Sequence, residues 1–285
     1  MRKKFSIAIP ASVVSDTPHL REKTAKIGLI GRAAAIFQVE EIIIYPDNPA
    51  QKQNTETEQI ALLLSYMETP QYLRKRLFKF DPRLQYAGIL PPLRTFHHPL
   101  NRQIKKLKIG EPREGVTVSQ TEEGTQVDVG VEKTALIPHK KLPANMRVTV
   151  RIAKASADRL EAEIADRDEI QEYWGYKVTV SENSFAGTLK NRKFDLTIAT
   201  SRLGTPISSV ASKIAERYGA AESVLVAFGA PSQGLHGIAK SEGLNLEEVV
   251  DFVVNTIPGQ GTETVRTEEA VFASLAVLNV LVFKV

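Results

Sequence analysis

The stretch Asn255-Thr256-Ile257-Pro258-Gly259-Gln260-Gly261-Thr262-Glu263-Thr264-Val265-Arg266-Thr267-Glu268-Glu269-Ala270 decides how this chain is read. It follows an apolar run over residues 249–254 that reads as a strand. It then passes through a Pro-Gly-x-Gly loop into a helix that begins with charges and turns apolar at Ala270. Glycine lets a backbone adopt positive φ and approach a ligand closely, because no Cβ intervenes. Free N–H groups at a helix start suit a polar or anionic ligand, and in an α/β sheet ligands sit at the C-terminal ends of strands. Pro-Gly-x-Gly alone is more often a plain turn. A second loop of similar kind, Phe228-Gly229-Ala230-Pro231-Ser232-Gln233-Gly234-Leu235, directly after another apolar strand, raises the reading above that.

Working outward, the pattern around these loops is α/β. Residues 5–9 and 41–45 read as strands on either side of a helix of about two dozen residues that reaches Val39. Residues 55–67 and 71–78 are helical by pattern, and residues 194–200 form a strand that ends at Ser201-Arg202-Leu203-Gly204. Thr205 as N-cap and Pro206 at the first helical position open a helix that closes at Gly219. Strands at 223–228 and 249–255 and a last helix over 266–279 complete the pattern. Between residues 115 and 168 the period changes to short alternating runs, such as Val127/Val129/Val131 and Val148/Val150/Ile152, separated by turns at Glu122-Glu123-Gly124 and Ala157-Asp158. About five strands in so short a span describe a small barrel of the oligonucleotide-binding (OB) type. The expected organisation is a discontinuous α/β domain, 1–108 and 173–285, into which the barrel, 109–172, is inserted. The barrel is expected to bind RNA or to support a dimer.

Length and composition allow one large or two moderate domains with ample core: 285 residues, 42% apolar and 25% charged. The absence of cysteine removes disulfides, thiolate metal sites and a cysteine nucleophile together. The basic start, Met1-Arg2-Lys3-Lys4, is followed by an apolar run too short for a signal peptide. The apolar end, 270–285, is too short to span a bilayer. A cytoplasmic protein with no membrane partner is the expectation. The net charge of +4 is unevenly placed. Residues 70–108 carry ten basic side chains against Asp81, and residues 155–172 carry seven acids against Arg159 and Arg167. Basic residues interleaved with Phe78, Phe80, Tyr86, Phe96, His97 and His98 supply both phosphate contacts and stacking surfaces, which points to nucleic acid. A solvated surface at a helix end is the plainer account of the same residues. His97 and His98 suit RNA contact or loop packing better than metal, since no cysteine or nearby carboxylate joins them. His236 could sit at a pocket mouth or simply start a surface helix.

If the strands ending at 200–204, 228–234 and 255–262 are neighbours, their loops converge on one pocket. No GxGxxG or Walker A pattern is present, so neither a dinucleotide fold nor a P-loop kinase is supported, and without GxSxG the serine hydrolase reading fails too.

The closing stretch, from Asn255 to Gly261 and from Val265 to Ala270, resembles the last motif of the SPOUT-class RNA methyltransferases. It is most similar to the archaeal and eukaryotic branch linked to N3-methylation of uridine in large-subunit ribosomal RNA. Asp81-Pro82-Arg83-Leu84-Gln85-Tyr86-Ala87-Gly88, Pro91-Pro92-Leu93-Arg94-Thr95 and Tyr173-Trp174-Gly175-Tyr176 resemble the same branch. The resemblance implies a C-terminal deep trefoil knot, an OB-like insertion, S-adenosylmethionine as cofactor and a homodimer. Its cofactor pocket would be formed by Phe228, Gly229 and Ala230, and by Asn255, Thr256, Ile257, Pro258, Gly259, Gly261 and Val265. Thr200, Arg202 and Gly204 would cover the methionine side. Arg202-Leu203 stands where the family has an acid followed by arginine, so Arg202 would have to reach a cofactor carboxylate from the adjacent position. Arg266 is the candidate for stabilising an anionic base. Glu268 is the candidate general base and Glu263 the second, although acids in a first helical turn commonly just complement the helix dipole. Arg74, Arg83, Arg94, His97, His98, Arg102, Lys105 and Lys106 are the candidate RNA contacts. Two other readings stay open: a non-catalytic RNA-binding protein that keeps the knot for dimerisation, and a metabolic enzyme whose glycine loops hold a phosphate.

Overall fold

Parallel strands covered on both faces bury successive side chains whichever way they point, so they read as continuous apolar runs. Glu-Ile-Ile-Ile-Tyr at 41–45 and Ser-Val-Leu-Val-Ala at 223–227 are such runs, and in the computed structural model both lie in a parallel sheet. The structure describes residues 3–48, 53–156 and 158–282. Met1-Arg2 of the basic start, Pro49, Ala157 of one expected turn and residues 283–285 of the apolar end lie outside the described residues.

In chain order the first elements are β1 (Lys4–Pro10), α1 (Leu20–Ile36), β2 (Glu41–Tyr45), α2 (Asn54–Glu68) and α3 (Gln71–Leu77). Five strands follow: β3 (Pro112–Gln120), β4 (Gly124–Asp128), β5 (Ala135–Pro138), β6 (Arg147–Ala155) and β7 (Leu160–Ile164). The chain ends with β8 (Lys177–Val180), α4 (Phe185–Arg192), β9 (Leu196–Pro206), α5 (Ile207–Ala220) and β10 (Ser223–Ala227), then α6 (Leu235–Ser241), α7 (Leu246–Val249), β11 (Phe252–Asn255) and α8 (Thr267–Val282). The residues group into two compact units. One comprises Met1–Ser65, Arg83–Pro92 and Tyr176–Val285, and the other Tyr66–Pro82 and Leu93–Gly175.

The first unit holds a six-stranded parallel sheet of order β11-β9-β10-β1-β2-β8. One buried cluster joins Ala8, Ile43, Ala199 and Leu225 of the sheet to Phe185, Ile238 and Leu246 of α4, α6 and α7. Helix α8 packs against both α1 and α5. On α1, a Cβ at Gly28 would come within 2.9 Å of Pro91 Cδ, so the glycine is what lets the 90–91 segment lie against the helix.

The second unit holds a closed barrel of order β3-β4-β5-β7-β6, filled by Val127, Val129, Ala135, Ile137, Val150, Ile152 and Ala162. Alternation picks out four of its strands. It misses β5, whose Ala-Leu-Ile-Pro is too short to show a period.

Several element ends differ from the sequence reading. Thr205 and Pro206 belong to β9, paired with Val254 and Asn255 of β11, and α5 starts one residue later without a side-chain cap. The run at 249–255 is not one strand. α7 ends at Val249, and β11 begins at Phe252 after Asp251, whose carboxylate accepts hydrogen bonds from the Thr197 N–H (2.7 Å) and hydroxyl (2.8 Å). Helix α1 is shorter than expected, because it stops at Ile36: the Phe37 N–H closes its last turn on the Ala33 carbonyl and Gln38 follows at φ +54°.

The second unit contains a buried polar network. The carboxylate of Glu68 receives Arg147 Nη1 at 2.6 Å and Nη2 at 3.1 Å, and Arg147 Nε donates to Glu114 at 2.5 Å. Trp174 Nε1 donates to Glu114 at 2.5 Å. Both rings of His97 and His98 reach the Glu68 carbonyl through Nε2, at 2.9 and 2.6 Å. Gly175 stands against this cluster at φ +84°, where a Cβ would come within 2.4 Å of the His97 ring. Burial alone would raise the Glu68 carboxyl, but the hydrogen bonds of His97 and Arg147 and the charge of Arg147 hold it well below the usual carboxylate range. Burial and the neighbouring His97 push His98 down to about 3.

Breaking a buried pair from one side leaves a charge stranded. Glu68→Gln is therefore expected to cost about 3 kcal/mol in urea unfolding, whereas Arg76→Ala, at the exposed Arg76–Asp128 pair, costs under about 1 kcal/mol. Both shifted groups favour the deprotonated form in the folded state. Stability should thus be full above the ordinary histidine value of 6.5 and decline as pH falls, with Glu68 adding to the loss below its ordinary 4.5. Chemical denaturation between neutral and acid pH checks the direction.

Candidate functional site

The three loops singled out in the sequence meet in the first unit, because their strands β11, β9 and β10 are consecutive in the sheet. A break in pairing shapes the site. Val253 pairs with Ala199, but the next residue, Val254, pairs with Thr205. Residues 200–204 are therefore extruded from the ladder. The chain can return to it at once because residue 204 is glycine: a Cβ there would meet the Val254 backbone at 2.6 Å.

The extruded loop and the 255–265 segment hold each other. Asn255 Nδ2 donates to the Arg202 carbonyl at 3.0 Å, while Asn255 Oδ1 accepts the Ile257 N–H at 2.9 Å. Arg202 Nη1 donates to the Glu263 carbonyl at 2.5 Å. The loop after β10 is fixed by hydroxyls: Tyr45 donates to the Phe228 carbonyl at 2.7 Å, and Thr267 to the Gly229 carbonyl at 3.1 Å. Burial holds the Tyr45 phenol well above its ordinary range, so it stays a donor. Thr256 meets the fully buried Ser274 hydroxyl of α8 at 2.8 Å.

Between these loops lies a cavity of about 330 Å³. Of the residues singled out from the sequence, Thr200, Arg202, Phe228, Gly229, Ala230, Asn255, Thr256, Ile257 and Val265 line it. Gly204, Pro258, Gly259 and Gly261 lie outside that lining. Gly204 serves the strand contact just described, and Gly259 and Gly261 have open space around them. Arg266 is exposed at the start of α8, with its N–H donated to Glu269 Oε2 at 3.0 Å. Glu268 is buried, not in the lining, and its Oε2 lies 3.5 Å from Lys26 Nζ of α1, which also binds Asp16 at 2.7 Å. Its surroundings are those of helix packing.

The lining also includes Ser201 of the 200–204 loop and His236, at the pocket mouth as one of its two readings had it. Ser201 Oγ lies 3.2 Å from His236 Nδ1, and His236 Nε2 lies 3.0 Å from Glu247 Oε1. Ser201 was legible as a member of the 200–204 loop, and His236 by its place after Gly234. Glu247 carries no local signal, since only the packing of α6 on α7 brings it there.

The candidate RNA contacts divide by environment. In the second unit Arg94, Arg102, Lys105 and Lys106 are exposed, with Phe80 (97% exposed), Phe96 (70%) and Leu100 (85%) among the apolar side chains open to solvent. Arg74 is committed inward, donating to the carbonyls of Thr69 and Met67 and lying 4.6 Å from the Tyr66 ring centroid. His97 is fully buried with both ring nitrogens engaged, which leaves no face for a base, and His98 is largely so. In the first unit Arg83 is partly exposed, 3.3 Å from Glu58. No helix among the described residues is long and apolar enough to cross a membrane.

Residues 4–278 match the protein family described as "Putative RNA methyltransferase". A 28S rRNA (uridine-N(3))-methyltransferase of Homo sapiens is 34% identical over 304 residues, covering 96% of this chain and 77% of the human protein. The Drosophila melanogaster protein of the same name is 32% identical and is covered over 61% of its length. An uncharacterised protein of Haloarcula marismortui is 33% identical, over 96% of this chain and 98% of its own.

The tether between Thr256 and α8 has a measurable consequence. Thr256→Val should cost about 1–3 kcal/mol by stranding the buried Ser274 hydroxyl, and Thr256→Val/Ser274→Ala should recover most of it. Thermal unfolding of the single and double variants checks this. Gly204→Ala should be destabilised by about 2 kcal/mol or more, since backbone rather than a flexible side chain must yield.

Proposed function

The chain belongs to the RNA methyltransferase family, and from that premise we propose that it transfers a methyl group from S-adenosylmethionine to N3 of a uridine in large-subunit ribosomal RNA. The observation that carries the donor site is the 330 Å³ cavity at which loops 200–204, 228–234 and 255–265 meet. Its volume suits a ligand of that size. Its walls suit the parts of that ligand: backbone and apolar side chains of Phe228, Gly229, Ala230, Ile257 and Val265 for an adenosine, and Thr200 and Arg202 for a polar amino-acid end. When bound, the cofactor supplies an electrophilic methyl group on a sulfonium.

The chain's own contribution is alignment, which can supply a large share of the barrier reduction, together with stabilisation of the base anion as the N3 proton leaves. Arg266, exposed beside the cavity-lining Val265, is the group placed to pair with that anion or a flanking phosphate. N3 lies on the pairing edge of uridine, so the target base must be unpaired or turned out of its stack. The second unit, with Arg94, Arg102, Lys105 and Lys106 exposed near the aromatic Phe96 in sequence, is the surface we assign to the RNA backbone. We read the barrel as an OB-like insertion, 109–172, in a domain made of 1–108 and 173–285.

The reading extends to a SPOUT-type deep trefoil knot and a homodimer. Support for the knot is the sheet order: β9 lies between β10 and β11, so the chain crosses β9 on its way from β10, and Asn255 is tied to the extruded loop. Support for the dimer is the exposed Leu29 and Ile36 of α1 and Val280 of α8, on helices that pack together.

Calorimetric titration with S-adenosylmethionine and S-adenosylhomocysteine should give a Kd on the order of micromolar. Ala230→Trp, which fills the cavity, should abolish it while the fold is kept. Mass spectrometry of an unmodified large-subunit rRNA transcript treated with the wild type should then detect N3-methyluridine. A folded wild type that binds neither compound overturns the proposal.

A further inference from the structure

We propose that Ser201, His236 and Glu247 form the relay that takes the N3 proton of the target uridine; this rests on the methyl-transfer reading above. Methylation at N3 needs a proton acceptor, because the nitrogen cannot offer its lone pair to carbon while its N–H bond is intact. The acceptor must open onto the cavity and hold the proton near neutral pH, the ordinary working range of imidazole. Two acids suggested by sequence position do not supply this. Glu268 is buried beside Lys26 and outside the lining. Glu263 lines the cavity, but it is exposed, and it is its backbone carbonyl that Arg202 and Gln260 hold.

The geometry fixes the direction of the relay. Glu247 Oε1 lies 3.0 Å from His236 Nε2, and a carboxylate can only accept there, so Nε2 carries the proton. The other nitrogen, Nδ1, is then a lone pair, 3.2 Å from Ser201 Oγ, and the hydroxyl donates to it. Ser201 Oγ in turn accepts the Leu203 N–H at 3.1 Å, a bond within the extruded loop that orients the hydroxyl. Both Ser201 and His236 line the cavity. The exposed Glu247 carboxyl is lowered by hydrogen bonds of its own backbone and of His236, consistent with a carboxylate held for the ring. Other charged groups near the ring are Arg202 and Glu263 in the same lining, Lys240 one turn along α6, and Glu248 beside Glu247 on α7.

The step balances. The N3–H bond breaks and Ser201 Oγ takes the proton while passing its own to His236 Nδ1. The N3 electron pair forms the bond to the methyl carbon, and the carbon–sulfur bond breaks with its pair left on sulfur as a neutral thioether. Glu247 compensates the imidazolium until it releases its proton to water. Ser201 and His236 are catalytic residues in this account, and Glu247 is a positioning residue.

The test uses single-turnover methylation of an unmodified large-subunit rRNA transcript, followed from pH 6 to 9.5, on the full chain. His236→Ala should lower the rate on the order of 10²-fold at neutral pH, flatten the wild-type rise with pH, and be partly restored by added imidazole. Ser201→Ala should behave similarly, and Glu247→Ala more mildly. S-adenosylhomocysteine binding should stay within about twofold throughout, as expected for loss of a transition-state contact. Nitrogen NMR of the five histidines, with His236→Ala as the assignment control, should show the Nε2-protonated tautomer in the wild type and a mixture in Glu247→Ala. A His236→Ala enzyme with wild-type rate and pH profile overturns the relay while leaving the methyltransferase reading intact. An Nδ1-protonated wild-type ring also overturns it. A wild type that never yields N3-methyluridine overturns the underlying reading instead. Should His236→Ala fail to fold, Glu247→Ala, at a side chain already half exposed, carries the same comparison.

Discussion

Everything at the cavity depends on one backbone-against-backbone approach, Gly204 on Val254. Strand β11 can rejoin β9 five residues late only if the returning chain lies closer to it than any side chain permits. The missing Cβ thus creates the loop 200–204 and supplies the cavity with Thr200, Ser201, Arg202 and Leu203. The hydrogen bonds from Asn255 to the Arg202 carbonyl and from Arg202 to the Glu263 carbonyl tie two loops that would otherwise be free to part.

The second unit solves a different problem. Its barrel interior is apolar, and the residues of 66–99 that belong to it reach β3 and β6 through buried charge. Glu68, Arg147 and Glu114 form a chain of charge-assisted bonds, extended by Trp174 and the two histidines. Buried charge of this kind is tolerable only when each member is matched. The two histidines are therefore spent on structure, whereas Arg94, Arg102, Lys105 and Lys106 stay in water.

The sequence carried more of the fold than of the chemistry. Apolar runs such as Ile42-Ile43-Ile44 read as buried strands and lie in the parallel sheet, and the alternation of Val127, Val129 and Val148, Val150 reads as half-buried strands and forms barrel wall. Short elements escaped where propensity and pairing disagree. Thr205-Pro206 has the chemistry of a helix start, yet it lies in β9 because β11 supplies partners for its backbone. The loops of the cavity were legible from their glycines, but the sequence could not say which glycine lines it. Gly229 faces the cavity, Gly204 faces a strand, and Gly261 faces open space.

What the sequence determined by itself is whatever depends on neighbours along the chain: an α/β frame, a span of short alternating strands within it, three glycine-bearing loops in the last third, a basic segment and the absence of cysteine. The tertiary structure decided what depends on distance in space. It buried His97, set Glu268 against Lys26, and brought Glu247 to His236 and His236 to Ser201 across gaps of 11 and 35 residues. No periodicity records such meetings, because they follow from the order in which strands pair and from which helix covers which face.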